Sequence, residues 1–207
     1  MQSGRTIQLE KPLVYGDKDA AITGDLRTAL EAQEEKRLKA KVEYGACYDD
    51  DGNLVGSEAK GGRGSVRIYS QLSPSATTMT HNHPRGKNEE DNLGGTFSEA
   101  DCRGFARFPQ QRTMRASAAE GTYSMTKGPN FNGTGFLSFV RSAEAKATKA
   151  HADREKALRS DLSTGKISFA TYLSSHDSSF NTFLIDMHNA YLEGQSTYGY
   201  TYTLERR

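Results

Sequence analysis

The chain has 207 residues, a formal net charge of +1 and two cysteines, a length that suits one domain with an elaboration and a real hydrophobic core. No apolar run approaches the roughly 20 residues of a membrane-spanning helix, and the interspersed charges form no basic field of the kind that binds nucleic acid. Cys47 and Cys102 are too few for a disulfide framework and are expected to be reduced thiols. The N-terminus lacks the apolar segment of a signal peptide, which predicts a cytoplasmic protein.

The first part of the chain predicts a strand, a helix and a hairpin. Residues 6–16 are typical of a short edge strand, and residues 23–41 predict a charged helix capped by Thr23 or Asp25. The stretch VEYGACYDDDGNLVGSEAKG changes to a period of two and turns at DDDGN, which is typical of a β-hairpin. A calcium loop would require an acidic residue in place of Cys47 and a later glutamate, so the hairpin is preferred.

The middle of the chain continues with short elements. Residues 64–70 (GSVRIYS) predict another strand, and residues 75–80 carry an extended segment into a pair of histidines. After a charged loop, the apolar spacing predicts a helix that begins near Glu99 and is capped by Ser98 or Thr96.

The last part of the chain predicts two strands followed by helices. Residues 111–128 favour a strand, a turn at Glu120 and a second strand, and residues 135–160 are helical in pattern and rich in Ala, Lys and Glu. After an interruption at STGK, residues 179–194 predict a further helix with one apolar face, and residues 198–207 alternate like a strand.

The stretch MTHNHPRG places two of the five histidines one residue apart. The letters HNH also name a nuclease motif, but the residues that share one metal in that motif come from separated parts of a hairpin and a helix. In an extended segment His81 and His83 point to the same face, where two imidazoles can share one metal ion. The alternative is a pair of solvated strand-end histidines. Asp101, in the first turn of the predicted helix, is a third candidate ligand, unless it is only a carboxylate favoured by the helix dipole.

Three short segments carry a resemblance to a known family. Glu43, then HNHP at residues 81–84, then SEAD at residues 98–101, resemble the JAMM (MPN-plus) motif, E…H-x-H-P…S-x-x-D, of zinc metalloproteases and isopeptidases. The similarity covers roughly residues 38–127 and is greatest to RadC-like and other JAMM domains of phage and toxin-associated proteins.

The resemblance implies an α/β (α+β) fold, with an MPN/JAMM-like, cytidine deaminase-like core in which helices flank a mixed sheet. Together with the residue patterns above, it predicts an N-terminal strand and helix (1–37), a JAMM-like metalloprotease core (38–130) and a C-terminal helical extension that ends in a short strand (131–207).

The resemblance also assigns roles to five residues. His81, His83 and Asp101 would hold Zn²⁺ and leave its fourth position open, as catalytic zinc sites require. Glu43 would accept the proton of the attacking water and pass it to the leaving amine. Ser98 would donate its hydroxyl to the developing oxyanion.

Each role has an alternative. Glu10 or Glu58 would supply the base if Glu43 is an exposed strand residue, and Ser98 would be only a helix cap. Three further histidines have no partner at ligand spacing and are expected to be solvated or core residues: His151, His176 and His188.

The connection between the histidine pair and the helix is longer than in the family pattern, so residues 87–95 (KNEEDNLGG) are interpreted as an insertion beside the metal. The free-energy cost of closing a loop grows slowly with its length, so an insertion here is tolerated. Alternatively, the insertion acts as a lid or selects the substrate. The motif residues are present on both sides of this insertion, His81 and His83 before it and Ser98 and Asp101 after it.

Two classes of function follow. The first is a zinc-dependent peptidase or isopeptidase that acts on a protein or peptide, including a ubiquitin-like conjugate. The second is a non-catalytic MPN-type binding module, such as a phage virion or assembly component. No nucleic acid or membrane partner is expected, the oligomeric state is open, and a phage-encoded protein would act in the host cytoplasm or the virion.

Overall fold

The computed structural model describes residues 12–84 and 93–206. These residues form an α+β fold built on one six-stranded mixed sheet, which confirms the predicted class. The elements in chain order are α1 (Gly24–Arg37), β1 (Tyr44–Tyr48), β2 (Leu54–Lys60), a 3-10 helix (Tyr69–Leu72), β3 (Thr78–Asn82), α2 (Glu99–Arg107), β4 (Thr113–Ala118), β5 (Gly121–Lys127), α3 (Gly133–Ser163), α4 (Phe169–Tyr198) and β6 (Tyr200–Glu205).

The order of strands across the sheet is β2-β1-β3-β4-β5-β6. The β3–β4 pair is parallel and the other neighbouring pairs are antiparallel. A parallel pair needs a crossover connection, and here α2 provides it. This crossover brings the beginning of α2 close to the carboxyl end of β3, where the histidine pair lies.

The two faces of the sheet are packed differently. On one face α2, α3 and α4 cover an apolar core that includes Met114, Phe105 and Tyr191, all fully buried. On the other face α1 covers a small apolar cluster and a buried ion pair network in which Arg115 contacts the carboxylates of Glu34 and Glu205. Residues alternate between these faces along each strand, as the period of two requires.

Most predicted elements are present, and one is wrong. The hairpin at DDDGN, the strand before the histidines, the helix capped by Ser98 and the final strand are all confirmed. Residues 64–70 do not form a strand; they lead into the 3-10 helix instead. The side chains of Val66 and Ile68 pack over Gly45 of β1. A Cβ atom on Gly45 would lie 2.2 Å from Cδ1 of Ile68. Their apolar character therefore reflects packing and not strand pairing.

Several smaller expectations can also be compared with the structure. Cys47 and Cys102 are free, as expected, and both are buried. The predicted edge strand at residues 6–16 lies mostly outside the described residues, and Gly16 forms a single parallel bridge with Glu205. In the described part of the chain, no helix is both long and apolar enough to cross a membrane.

The C-terminal segment shares the sheet and core of the preceding residues. β6 pairs with β5 from Thr122 to Lys127, and Tyr191 and Leu204 belong to the main apolar core. The division of the chain into residues 1–37, 38–130 and 131–207 stays a prediction.

Candidate metal centre

The two histidines of the HNHP segment face each other at the end of β3. His81 pairs with Gly45 of β1 and Ala116 of β4, and the main-chain N–H of His83 donates to the Ser117 carbonyl at 2.8 Å, which continues the ladder beyond the strand. With the period of two maintained, both side chains lie on the α2 face of the sheet. Their Nε2 atoms are 2.9 Å apart.

Asp101 is brought to this pair by the first turn of α2. Its Oδ2 atom lies 3.6 Å from Nε2 of His81. Ser98 is the N-cap, and the two residues form a capping box in which each side chain accepts a hydrogen bond from the main-chain N–H of the other. This is the reciprocal arrangement that the sequence S-x-x-[DE] favours. The helix cap and the position of the carboxylate are therefore one structural feature.

Glu43 directly precedes β1 and reaches the same site from the strand next to β3. Gly45 pairs with His81 in an antiparallel register, so continuing that register places Glu43 opposite His83. Glu43 is 8% exposed. Glu43, both histidines, Ser98 and Asp101 all line one cavity of about 200 Å³. All five residues named by the motif thus meet in one place.

The alternative bases are not placed in this way. Glu58 of β2 is bonded to Arg37 and Gln33 of α1, and among the described residues that line the cavity Glu43 is the only glutamate. Glu10 lies outside the described residues. The geometry therefore places Glu43, and not Glu58, beside the three candidate ligands.

The protonation states are set by burial and by the close approach of these groups. Burial opposes the charge on His81, but Asp101 and Glu43 outweigh it and raise the pKa of this imidazole. Burial lowers the pKa of His83, and the neighbouring His81 lowers it further.

The two carboxyl groups respond in opposite directions. Burial works against ionisation of Asp101, yet the adjacent imidazoles, His81 above all, hold the pKa of this carboxyl well below its usual range. For Glu43 burial prevails and raises the pKa. The site therefore contains one carboxylate kept ionised and one with an increased affinity for a proton, an arrangement that is common where two acids perform different tasks.

The donor set fits a divalent transition metal. His81, His83 and Asp101 are the only three His, Cys, Asp or Glu residues in the described ranges whose ligand atoms all lie within 4.8 Å of one another. Tetrahedral zinc with bonds of about 2.0–2.2 Å requires ligand atoms roughly 3.4 Å apart. The distances from Nε2 of His81 to its two neighbours, 2.9 and 3.6 Å, lie on either side of this value. Two imidazoles and one carboxylate are the ligand types of catalytic zinc sites.

The sequence analysis did not predict the residues that orient the ligand His83. Nδ1 of His83 donates to the carbonyl of Gly95 at 2.8 Å, and the carboxylate of Glu120 accepts the main-chain N–H groups of Gly94 and Gly95 at 2.9 and 2.8 Å. The GG pair was a detectable signal, since Gly95 has a φ of +84° and only glycine adopts such angles freely. For Glu120 no local pattern indicates the contact.

The remaining histidines take no part in this centre. His188 is fully buried and bonded to Tyr202 and to the Val14 carbonyl. His151 and His176 lie between α3 and α4, where they contact Ser179 and Glu155. His188 is thus a core residue, whereas His151 and His176 are partly exposed.

The loop between the histidines and α2 is only partly described. Residues 85–92 fall outside the described residues, so the interpretation of residues 87–95 as a lid lies largely outside them too. The end of the connection is fixed, because the main-chain N–H of Leu93 donates to Oδ1 of Asn181 in α4 at 3.0 Å.

Comparison with protein family models, with curated proteins and with solved structures gives no match to this chain. The functional proposal therefore depends on the sequence motif and on the geometry of the site.

Proposed function

We propose that the protein is a zinc-dependent metallopeptidase or isopeptidase of the JAMM type, with an MPN/JAMM-like core. One observation carries the proposal: His81, His83 and Asp101 present their ligand atoms to a common point, and the buried Glu43 lines the same cavity. A metal-binding site without a nearby base would support metal storage or structure equally well. A base held beside an open three-ligand site favours hydrolysis.

In this proposal His81, His83 and Asp101 hold the metal. A bound zinc ion supplies Lewis-acid chemistry, because it lowers the pKa of water and polarises a carbonyl group. Glu43 accepts the proton of the attacking water and delivers it to the leaving amine. A carboxylate held beside the attacking water is one of the groups that serve as a general base, and Glu43 is buried at the cavity wall.

Ser98 has a dual position in the site. Its hydroxyl donates to Oδ2 of Asp101 at 2.7 Å, and it also lines the cavity. To stabilise an oxyanion, this hydroxyl must turn its proton from Asp101 toward the substrate. The helix cap does not prevent this, because the cap uses the Ser98 oxygen as an acceptor from the Asp101 N–H.

The substrate class follows from the chemistry. A buried base, an open metal position and a small cavity suit a planar amide group presented by a protein or peptide, including an isopeptide linkage to a ubiquitin-like protein. A cytoplasmic location and a phage origin remain parts of the proposal. A non-catalytic binding module is the competing function.

Metal content tests the proposal directly. The purified protein is expected to hold about one zinc ion per chain, and the double variant His81→Ala/His83→Ala is expected to hold none. His176→Ala is the matched control, since His176 is half exposed and bonded to Glu155 on the helical hairpin. Unchanged zinc in the double variant would contradict the site. Zinc binding without cleavage of any peptide or isopeptide substrate would favour the binding module.

A further inference from the structure

His83 is oriented by one contact of its outer nitrogen. A carbonyl oxygen can only accept, so the 2.8 Å contact between Nδ1 and the Gly95 carbonyl requires the proton to be on Nδ1. The Nε2 atom, which faces Nε2 of His81, then carries the lone pair that a metal needs. The position of the Gly95 carbonyl therefore determines both the tautomer of His83 and the direction of its ligand atom.

The Gly94–Gly95 segment is held in place from outside. Gly95 has a left-handed φ of +84°, and the segment precedes α2 without belonging to a helix or strand. The carboxylate of Glu120 takes both consecutive main-chain N–H groups, Oε2 from Gly94 at 2.9 Å and Oε1 from Gly95 at 2.8 Å. One side chain thus fixes the orientation of two peptide groups.

Glu120 is itself fixed. It lies in the turn between β4 and β5, which is closed by the pairing of Ala118 with Gly121. The buried hydroxyl of Tyr123 donates to its Oε1 atom at 2.8 Å. On the other side of the segment, Leu184 of α4 lies so close that a Cβ at Gly95 would be 2.7 Å from its Cδ2 atom.

We propose that Glu120 is a positioning residue for the metal ligand His83, acting through the main chain of Gly94 and Gly95. The inference rests on the proposed metal site and adds a residue that the E…HxHP…SxxD motif does not contain. Glu120 does not touch the metal position; it holds the two peptide groups that precede the Gly95 Cα atom, and the Gly95 carbonyl that orients His83 belongs to the next peptide group.

A carboxylate is needed at this position because two adjacent N–H groups require two acceptors. In a Glu120→Gln variant the amide oxygen accepts one of them, while the amide NH₂ opposes the other. The Gly95 carbonyl is then less well held, and His83 loses part of its orientation. Changes in such outer hydrogen bonds typically reduce metal affinity about 10–100-fold.

The experiment measures zinc affinity and the cobalt spectrum in parallel. Parent, Glu120→Gln and Tyr123→Phe proteins are titrated with zinc against a chelating competitor, and the Co²⁺-loaded forms are compared by visible absorption, which reports ligand geometry. We expect the zinc dissociation constant to rise about 10–100-fold in Glu120→Gln and by less in Tyr123→Phe, with a changed cobalt spectrum in Glu120→Gln. Tyr15→Phe is the matched control, because the Tyr15 hydroxyl donates to the main-chain carbonyl of Glu120 and not to its carboxylate.

The outcomes separate this inference from the proposed function. A parent protein that binds no zinc overturns both. A parent that binds zinc, together with a Glu120→Gln variant of unchanged affinity and cobalt spectrum, overturns the role of Glu120 alone. If Glu120→Gln does not fold, Tyr123→Phe decides: weaker zinc binding in a protein with parental far-ultraviolet circular dichroism and cooperative unfolding supports the inference, and parental affinity overturns it.

Discussion

Asp101 accepts two hydrogen bonds from Ser98 at the same oxygen atom. Its Oδ2 is 2.9 Å from the main-chain nitrogen of Ser98 and 2.7 Å from its hydroxyl. Because Ser98 is the N-cap of α2, the candidate metal ligand is also part of the helix start. The fold and the site therefore depend on the same pair of residues, and an experiment on either must separate the two roles.

The first prediction separates them at Ser98. Ser98→Ala removes a helix cap, which typically lowers the free energy of unfolding by about 1 kcal/mol. It also removes an oxyanion donor, which typically lowers kcat about 10²–10³-fold. Chemical denaturation and a peptidase assay measure the two effects.

Ser168→Ala is the control for this prediction. Ser168 caps α4 in the same way, accepting the N–H of Thr171 at 3.1 Å, and it is not among the residues that line the cavity. Its loss is expected to cost similar stability and no activity. Equal activity in the two alanine variants would identify Ser98 as a cap alone.

The second prediction concerns the base. Glu43→Gln is expected to keep zinc and the fold but to lose hydrolysis by about 10²–10⁴-fold, because an amide cannot accept a proton from water. Removing a buried acid whose pKa is raised by burial is not expected to lower stability at neutral pH. Metal analysis and cleavage rate are measured on the same sample.

Glu58→Gln provides the comparison for Glu43. Glu58 is bonded to Arg37 and Gln33 on α1, so the change is expected to affect the ion pair and leave cleavage at the parental rate. If Glu58→Gln is inactive and Glu43→Gln is active, the base has been assigned to the wrong residue.

The local features of this fold could be predicted from sequence. The capping box at Ser98 and Asp101 follows from residues three apart, and the common face of His81 and His83 follows from the strand period. Such features are encoded within one turn or one strand. The contact between Asp101 and His81 was reached through the family resemblance, since 20 residues separate them.

Long-range polar contacts could not be predicted in the same way. Arg115 is 1% exposed because α1 and β6 both bring a glutamate to it, and both partners are distant in sequence. The sequence around Glu120 predicts only a turn. The contact of its two carboxylate oxygens with the N–H groups of Gly94 and Gly95 forms only in the folded chain. Residues 64–70 were misassigned because apolar alternation does not distinguish a strand from a segment that packs over a glycine.

The third prediction tests the buried ion network. Arg115 donates to Glu34 at 2.7 and 3.0 Å and to Glu205 at 3.0 Å, and both carboxylates are buried. Arg115→Met leaves these acids without their shared partner. Breaking a buried pair by removing one side typically costs about 3–5 kcal/mol, which urea denaturation of the zinc-free protein measures.

Arg112→Met is the exposed counterpart. Arg112 forms an ion pair with Asp50 on the surface, and the two side chains are 57% and 54% exposed. Its loss is expected to change the free energy of unfolding by less than about 1 kcal/mol. Similar losses in the two variants would show that the Arg115 network contributes no more than a surface pair.

The fourth prediction concerns the pH dependence of stability and the buried His188. Its Nε2 donates to the Val14 carbonyl at 2.9 Å, and its Nδ1 lies 2.8 Å from the Tyr202 hydroxyl, so both nitrogens are satisfied in the neutral ring. Burial lowers the pKa of this imidazole in the folded state. As the pH falls below about 6.5, the unfolded chain therefore binds the proton first, and linkage requires stability to decrease.

Comparison with a variant isolates this effect from other titrating groups. The difference in unfolding free energy between the parent and His188→Gln is expected to shrink as the pH falls from 7.5 to 5.5. Protonation of His188 stabilises the unfolded state of the parent, and the variant has no such group at this position. Tyr202→Phe is the comparison: it removes a partner of the ring but leaves the imidazole buried, so the stability of this variant should still decrease as the pH falls. A parent-to-Gln difference that is constant over this range would show that His188 does not titrate differently in the folded and unfolded chains.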